Sequence, residues 1–271
     1  MQSIIRKMFV QVGLLLLLSR GLLGESDFTD IDGDTRIVGG QDAPEDFAIY
    51  QVSIRKHNKN QEWHTCGGSI IHEEWVLTAG HCTYGVDAKV LSIVVGSNLL
   101  IFGGDSYKIK KIITHENYAK KDLRNDIALM KVDGKIKMKK NVRAIKLMKQ
   151  PVAAGTICAL TGWGEINDKR TVPNKLQIMF YRTINNKECN KRLKGFNFAP
   201  IDDKQLCVRG PDKKGACRGD SGGPLVARDG NKNIVQVGVV SWGTIPCAKN
   251  YPDVFASISG YSDWIDKHMK D

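Results

Sequence analysis

The sequence lacks several features that would place it in other classes of protein. It has no Cys-x-x-Cys pair, and its neighbouring Cys and His residues lack a second ligand pair, so we expect no zinc site. It has no Asn-x-Ser/Thr sequon, so N-linked glycosylation is not expected. It has neither an aromatic platform nor a zinc finger typical of nucleic-acid-binding modules. We therefore expect no metal, no cofactor and no nucleic-acid partner.

Long apolar runs are also missing, except at the amino terminus. There, the basic pair Arg6-Lys7 precedes an apolar run that ends at Leu18. This run is too short to span a bilayer and has the length of a secretory signal. Residues 1–24 are therefore predicted to be a signal peptide with an approximate end, and an uncleaved signal anchor is the alternative. We expect a secreted, extracellular protein that does not span a membrane.

Acidic residues are fewer than basic ones, 29 against 40, which gives a net charge of +11. The densest basic run is Lys135–Lys140, followed by Arg143, Lys146 and Lys149. One interpretation is a solvated strand and linker. The other is a strip that binds a polyanion.

The seven cysteines are informative in a secreted chain, because an oxidising compartment favours disulfide bonds. Seven is an odd number, so one thiol is left over.

Residues 25–36 form an acidic segment that is poor in apolar residues and is predicted to be flexible. The segment ends at Arg36, and Ile37-Val-Gly-Gly40 follows. A basic residue at the end of an exposed tail is a natural site for tryptic cleavage. Cleavage there would give Ile37 a free, positively charged amino group.

Short β-type runs separated by Gly, Asn and Asp fill the remainder of the chain and predict an all-β barrel or sandwich fold. A polar, charged connector near 133–150 divides two similar halves. Only Tyr261–Met269 has clear helical spacing. The predicted strands are Tyr50–Arg55, Ser69–Ile71, Trp75–Thr78, Val90–Val95, Tyr107–Ile113, Ile127–Val132, Thr156–Thr161, Lys175–Tyr181, Pro224–Ala227 and Ile234–Ser241.

Three stretches carry reactive side chains. His81 follows small residues and stands beside a Cys, although a lone His is more often structural. Asp126 opens an apolar run, where a bare carboxylate is costly to bury unless it is hydrogen-bonded, and its alternative role is to start a strand. Ser221 lies among glycines that allow a tight turn. A serine needs a base, and the base needs an orienting acid.

Taken together, these stretches resemble the trypsin/chymotrypsin family of serine proteases. The resemblance covers about residues 37–271. The matching motifs are Ile37-Val-Gly-Gly40, Thr78-Ala-Gly-His-Cys82, Asp126-Ile-Ala-Leu129, Thr161-Gly-Trp-Gly164, Gly219-Asp-Ser-Gly-Gly-Pro224 and Ser241-Trp-Gly243.

The resemblance implies two six-stranded antiparallel β-barrels, at about 37–140 and 141–258, followed by a carboxy-terminal helix. It further implies a peptide bond hydrolase in which Ser221 is the nucleophile, His81 the base and Asp126 the orienting acid. The backbone N–H groups of Gly219 and Ser221 would form the oxyanion hole. Ser241, Trp242 and Gly243 would pair with an extended substrate. A binding protein on the same scaffold is the alternative, but the chain retains all three catalytic residue types.

The resemblance also implies activation by proteolysis. After cleavage behind Arg36, the Ile37 ammonium would pair with Asp220 and order the loop that carries Ser221. The implied partners are protein or peptide substrates, an activating protease and protein inhibitors, and the chain would be a monomer.

The implied disulfide bonds are Cys66–Cys82, Cys189–Cys207 and Cys217–Cys247, which leaves Cys158 as the free thiol. Many relatives pair the Cys158 position with a second Cys, and here that residue is Ala227.

The sequence departs from the family at the specificity pocket. Trypsin-like members have Asp at the pocket base, where this chain has Gly215. Asp253 stands on the opposite wall, an exchange that resembles the brachyurin (crustacean collagenase-like) group of broad specificity. With Gly243 leaving the entrance open, we expect cleavage after basic and large apolar residues. A narrower chymotrypsin-like or residual trypsin-like specificity is the alternative, as is an Asp253 that points away from the pocket.

Two smaller departures concern the substrate's leaving side and calcium. Arg218 at the rim would favour acidic residues on the leaving side of the substrate. Ser97 replaces the Glu expected in a calcium loop, so no metal is expected there.

Overall fold

The computed structural model describes residues 40–167, 169–196, 199–211, 215–247 and 249–270. These residues form two β-barrels and a carboxy-terminal helix, which confirms the expected fold class. None of the helices described there is long and apolar enough to cross a membrane. The strands are β1 (Gln41–Asp42), β2 (Gln51–His57), β3 (Glu62–His72), β4 (Trp75–Thr78), β5 (Leu91–Val95), β6 (Asp105–Thr114), β7 (Ala128–Val132), β8 (Lys146–Leu147), β9 (Ile157–Gly162), β10 (Gln177–Ile184), β11 (Gln205–Arg209), β12 (Pro224–Arg228), β13 (Ile234–Trp242) and β14 (Asp253–Ser257); the helices are α1 (Asn186–Arg192) and α2 (Ile258–His268).

The first barrel is a closed antiparallel sheet in the order β2-β3-β4-β7-β6-β5. Within β6, Ile109 is buried between the exposed Lys108 and Lys110, as the two-residue period of a strand requires. Strands β4 and β5 are buried along their whole length, which explains why all their residues except Thr78 and Ser92 are apolar. Large side chains such as Trp75 and Leu129 fill the interior, and each contributes about 1.5–3 kcal/mol by its burial.

The second barrel has the strand order β9-β10-β11-β14-β13-β12, and it closes because β9 pairs with both β10 and β12. Leu160, Leu225 and Phe255 lie in its core. Two short strands lie outside this ring. Strand β1 pairs with β10, and β8 pairs in parallel with β13. The six barrel strands themselves pair in antiparallel fashion, as in the first barrel.

The carboxy-terminal helix α2 begins three residues before the predicted segment Tyr261–Met269, directly after Ser257 at the end of β14. Trp264 and Ile265 pack into the same hydrophobic cluster as the first-barrel core. In addition, Trp264 Nε1 donates a hydrogen bond to Glu116 Oε2 at 2.8 Å. The helix therefore follows directly from the second barrel and also packs against the first.

Helix α1 and strands β11 and β14 are not predicted from the sequence. Asn185 caps α1 by accepting the backbone N–H of Glu188 at 2.8 Å. Only Cys189 of this helix is buried, so it lacks the apolar stripe that would indicate a helix. Strands β11 and β14 pair with each other, with Leu206 opposite Phe255.

Three disulfide bonds join Cys66 to Cys82, Cys189 to Cys207 and Cys217 to Cys247, the pairs implied by the family resemblance. Cys158 is a buried free thiol opposite Ala227 on the neighbouring strand. Burial raises the pKa of Cys158 to about 12, so this thiol is protonated and unreactive at neutral pH.

Candidate active site

His81 and Asp126 lie at the same end of two neighbouring strands. Strand β4 pairs with β7 along its full length, so the residues after β4 meet the residues before β7. His81 occupies a single 3-10 turn whose Cys82 is bonded to Cys66. His81 Nδ1 lies 2.8 Å from Asp126 Oδ2, and the His81 backbone N–H donates to Asp126 Oδ1 at 2.7 Å. The carboxylate therefore fixes both the ring and the backbone of the histidine.

The Asp126 side chain is buried, and hydrogen bonds compensate for the loss of water. Besides the two bonds from His81, Asp126 Oδ2 accepts the hydroxyl of Ser241 at 2.5 Å. A buried carboxylate with several donors avoids the penalty of an unpaired buried charge. Because the His81 Nδ1–H is donated to Asp126, the free lone pair of a neutral ring lies on Nε2. Nε2 is thus the atom able to accept a proton.

Ser221 lies in the loop that precedes β12, and this loop rests on the first barrel. The Gly67 N–H donates to the Ser221 carbonyl at 2.7 Å. Gly222 has φ +77°, and a Cβ there would lie 2.1 Å from Thr78 Oγ1. Ser221 and His81 line one cavity of about 360 Å³, although no hydrogen bond joins their side chains in the described part of the chain. Such contacts often form only when substrate is bound.

Two backbone N–H groups of this loop are left without acceptors. The Glu165 N–H donates to the Arg218 carbonyl at 2.8 Å, and the Gly223 N–H donates to the Asp220 carbonyl at 2.9 Å. In a trans peptide the next N–H points opposite to the carbonyl. The N–H groups of Gly219 and Ser221 therefore point away from those bonds, and neither has a protein acceptor among the described residues. Both residues line the cavity.

His64 also supports the loop, a role that the sequence analysis missed. Its Nε2 lies 2.9 Å from the Gly219 carbonyl, which can only accept, so Nε2 carries the proton. Its Nδ1 then accepts from the Ser53 hydroxyl at 2.9 Å. Burial lowers the pKa of His64, which favours this neutral form.

Asp220 is fully buried and explains two glycines of the Thr161–Gly164 motif. Its Oδ1 accepts the Gly164 N–H at 2.8 Å, and its Oδ2 accepts the Cys217 N–H at 2.9 Å. A Cβ on Gly162 or Gly164 would come within 2.1 Å of a carboxylate oxygen. Burial raises the pKa of Asp220 to about 6, although these two N–H groups lower it. No cation is recorded beside this carboxyl in the described residues.

Asp253, which the sequence analysis expects on the wall of the specificity pocket, is the first residue of β14 and is buried. Its Oδ2 accepts the hydroxyl of Tyr181 at 2.8 Å and the Ala216 N–H at 3.0 Å. Ala216 directly follows Gly215. A Cβ on Gly243 would lie 2.6 Å from Asp253 Oδ1, so only glycine fits there beside this carboxyl. The structure thus brings Gly215, Gly243 and Asp253 together. Tyr181 was not among the predicted site residues.

Two cavities adjoin His81. The cavity that holds Ser221 is also lined by Arg218 and by Lys56, which the sequence analysis did not select. A second cavity of about 320 Å³ is lined by His81, Tyr84, Tyr118, Lys120, Leu123 and Ser241.

At two places where a metal could be considered, the candidate ligand atoms form other bonds. The Cys66, Cys82 and His81 side chains lie within 4.8 Å of one another. The two sulfurs are bonded to each other, however, so neither is a thiolate ligand. In the loop where the family would have a calcium ligand, the Ser97 hydroxyl hydrogen-bonds to the carbonyls of Leu99 and Phe102.

Three lysines of the basic run and the residues after it form ion pairs with acidic side chains. Lys135 pairs with Glu73, Lys139 with Asp105 and Lys149 with Asp266. These pairs reduce the charge available to a ligand, so polyanion binding stays a prediction.

Two antiparallel β-barrels, with a carboxylate–histidine pair beside a serine loop, define the class of β-barrel serine endopeptidases. Residues 37–265 match the family model described as Trypsin. The chain belongs to the trypsin family of serine proteases and is a serine endopeptidase. The family resemblance is therefore confirmed.

Similar proteins carry both trypsin and chymotrypsin names. "Chymotrypsin-2" of Vespa crabro is 39% identical over 86% of this chain and 100% of its own length. "Trypsin epsilon" of Drosophila erecta is 32% identical over 98% of this chain and 99% of its own length. "Trypsin" of Sarcophaga bullata is 34% identical over 89% of this chain and 91% of its own length. The names therefore do not decide between the two specificities.

The predicted signal peptide, the pro-segment and the activation residues Arg36 and Ile37 lie outside the described residues.

Proposed function

We propose that this endopeptidase is secreted as an inactive precursor, is activated by cleavage after Arg36, and cleaves proteins after basic and large apolar residues. The observation that carries the catalytic part is the His81–Asp126 pair in the cavity that holds Ser221. A processing protease, protein inhibitors and a monomeric state belong to the same proposal.

Catalysis is proposed to follow from the free lone pair on His81 Nε2. Ser221 Oγ attacks the scissile carbonyl as its proton moves to Nε2, and the resulting imidazolium gives that proton to the leaving amine. Water then repeats the two transfers and releases the acyl group from Ser221. Asp126 stays ionised throughout and stabilises the imidazolium through its bond to Nδ1.

The unbonded N–H groups of Gly219 and Ser221 are proposed to bind the oxyanion. They are held in place before substrate arrives by the bonds to the neighbouring carbonyls. Loss of one such donor typically costs about 3–4 kcal/mol of transition-state stabilisation. His64 would support this arrangement from behind through the Gly219 carbonyl.

Activation is proposed to supply the cation that Asp220 lacks. A free α-amine titrates near pH ~8, and pairing with a buried carboxylate raises that value in the folded protein. The stabilisation is then present at neutral pH and is lost as the pH rises through the raised pKa. An enzyme that stays fully active after acetylation of Ile37 would refute this step.

The pocket is proposed to accept two kinds of side chain. Gly215, which has no side chain, leaves room for a large apolar group, while Asp253 Oδ1, beside Gly243, offers a charge to Lys or Arg. A narrow chymotrypsin-like or trypsin-like specificity remains the alternative. On the leaving side, Lys56 and Arg218 line the same cavity and favour acidic residues.

The test starts from the full chain, activated with trypsin, and uses a serine-phosphonylating reagent. Labelling of Ser221 that is absent from Ser221→Ala is expected, and no labelling would refute the catalytic assignment. A peptide library then gives the cleavage preferences. We expect cleavage after Lys, Arg, Phe and Leu. In Asp253→Gly, we expect mainly the cleavage after Lys and Arg to be lost. An unchanged profile for Asp253→Gly would contradict the pocket role.

A further inference from the structure

Among the residues that the structure describes, Tyr181 is the one side chain whose hydroxyl bonds the Asp253 carboxyl. It lies on β10, 72 residues before Asp253, and is buried. Its ring packs edge to face against Phe255, with centroids 6.2 Å apart. Burial, and then the negative charge of Asp253, raise the pKa of Tyr181. The phenol therefore stays protonated and remains a donor at any pH at which the enzyme works.

We propose that Tyr181 is a positioning residue for primary specificity, which holds Asp253 ionised and presents a single carboxylate oxygen, Oδ1, to basic substrate side chains. This inference rests on the proposed pocket role of Asp253 and names the residue that controls it.

The two oxygens of the Asp253 carboxyl have different surroundings. Oδ2 accepts both the Tyr181 hydroxyl and the Ala216 N–H, so it faces protein donors. Oδ1 has no hydrogen-bond partner among the described residues and lies beside Gly243 on the pocket wall. A substrate cation can therefore reach one oxygen, which excludes the two-point pairing that Arg makes with a free carboxylate.

The surroundings make the ionised form of Asp253 sensitive to the Tyr181 bond. Burial raises the pKa of Asp253 to about 6; the bonds from Tyr181 and Ala216 lower it, and the charge of Asp220 raises it. Within the described part of the chain, these are the groups that shift the pKa of this carboxyl, and none of them is a cation. Without the phenol, the pKa of Asp253 is expected to rise further, so the pocket would become uncharged over a wider pH range.

The experiment compares kcat/KM for two peptides that differ only in Lys or Phe before the scissile bond, from pH 5 to pH 9. The ratio of the two values cancels any pH dependence of the catalytic steps that both substrates share, and the active fraction of the preparation. For the wild type, the Lys/Phe ratio is expected to fall as Asp253 takes up a proton. For Tyr181→Phe, we expect the midpoint of that fall to move up by about one pH unit, with a ratio about tenfold lower on the acidic side.

Tyr50→Phe is the matched control, because Tyr50 is an equally buried tyrosine whose hydroxyl has no partner in the described structure. Its ratio profile is expected to match that of the wild type. Tyr181→Leu removes the same hydroxyl with a different shape and is measured alongside, so poor folding of one variant does not decide the result.

Asp253→Asn separates the two levels of the argument. If Asp253→Asn flattens the ratio profile while both Tyr181 variants keep the wild-type midpoint, Tyr181 only packs in the core and the inference fails alone. If Asp253→Asn leaves the profile unchanged, the proposed pocket role fails and this inference fails with it. A shifted midpoint in the Tyr181 variants, with an unshifted Tyr50→Phe, supports the proposal.

Discussion

Replacing Asp253 with Asn is expected to stabilise the folded protein at neutral pH while leaving its stability at pH 4 almost unchanged. Asn is close in shape to Asp, and its side-chain oxygen can keep both bonds from Tyr181 and Ala216. Its amide nitrogen then lies where Oδ1 lies beside Gly243. The substitution therefore removes the charge and preserves the packing.

The size of the effect follows from the raised pKa. Burial raises the pKa of Asp253 from 3.8 to about 6 in the folded chain. A carboxyl with a raised pKa binds its proton more tightly when folded, so its contribution to stability is complete below the unfolded pKa and is lost as the pH rises through the folded one. The loss from pH 4 to pH 8 is about 3 kcal/mol. Asn does not titrate and avoids that loss.

The measurement is urea unfolding at intervals from pH 4 to pH 8, with Ser221→Ala in both proteins to prevent autolysis. The free energy of unfolding of the Asn variant minus that of its parent is expected to grow by about 3 kcal/mol across this range. Asp229→Asn is the control, because bonds from Asn233 lower the pKa of this exposed carboxyl and the difference should change in the opposite direction. A difference for Asp253→Asn that is constant with pH would refute a buried, unpaired charge.

Three further changes test other parts of the structure. Ala227→Cys should form a disulfide with Cys158 across strands β9 and β12, and closing a loop of roughly 70 residues adds up to about 4 kcal/mol; a thiol that still reacts after unfolding would contradict this register. Arg218→Glu should lower the preference for acidic residues after the scissile bond by about two- to fivefold, measured with a peptide library, and an unaltered preference would count against the rim role. Gly222→Ala should abolish phosphonylation of the nucleophile, because its Cβ meets the first barrel, whereas Gly155→Ala, also at positive φ but in open space, should remain reactive.

Features whose chemistry lies within a few consecutive residues are the ones that the sequence predicts best. Motifs around His81, Asp126 and Ser221 led to the family and hence to the two barrels, which the structure and the family match confirm. Strand β4 was predicted with its observed ends because its four residues are all buried and apolar or β-branched. Its neighbour β3 extends well beyond the predicted Ser69–Ile71, since it begins with exposed residues, Glu62 and Trp63, and continues through two glycines that have no apolar side chain.

Two contacts between distant parts of the chain, made by His64 and by Tyr181, were not predicted. His64 and Gly219 are 155 residues apart, and a lone histidine in a strand gives no sign that its ring will meet a carbonyl of the nucleophile loop. Tyr181 lies in a largely apolar strand that any barrel core would require, and only the folded structure brings its hydroxyl to Asp253. These assignments depend on how the two barrels close, which no local pattern records.

With the roles proposed above, the two buried carboxyls Asp220 and Asp253 would link activation to specificity. Each has two hydrogen-bond donors, and each has a pKa raised to about 6 mainly by burial. The charge of Asp220 is one of the causes that raise the pKa of Asp253. If the Ile37 ammonium neutralises Asp220 on activation, that repulsion is removed and Asp253 ionises at a lower pH. At a given pH, Asp253 would then be more fully ionised in the cleaved enzyme than in the precursor, and it would attract Lys and Arg more strongly. Measuring the unfolding difference between Asp253→Asn and its parent before and after cleavage tests this link, because a pH dependence identical in both forms would mean that the two carboxyls act independently.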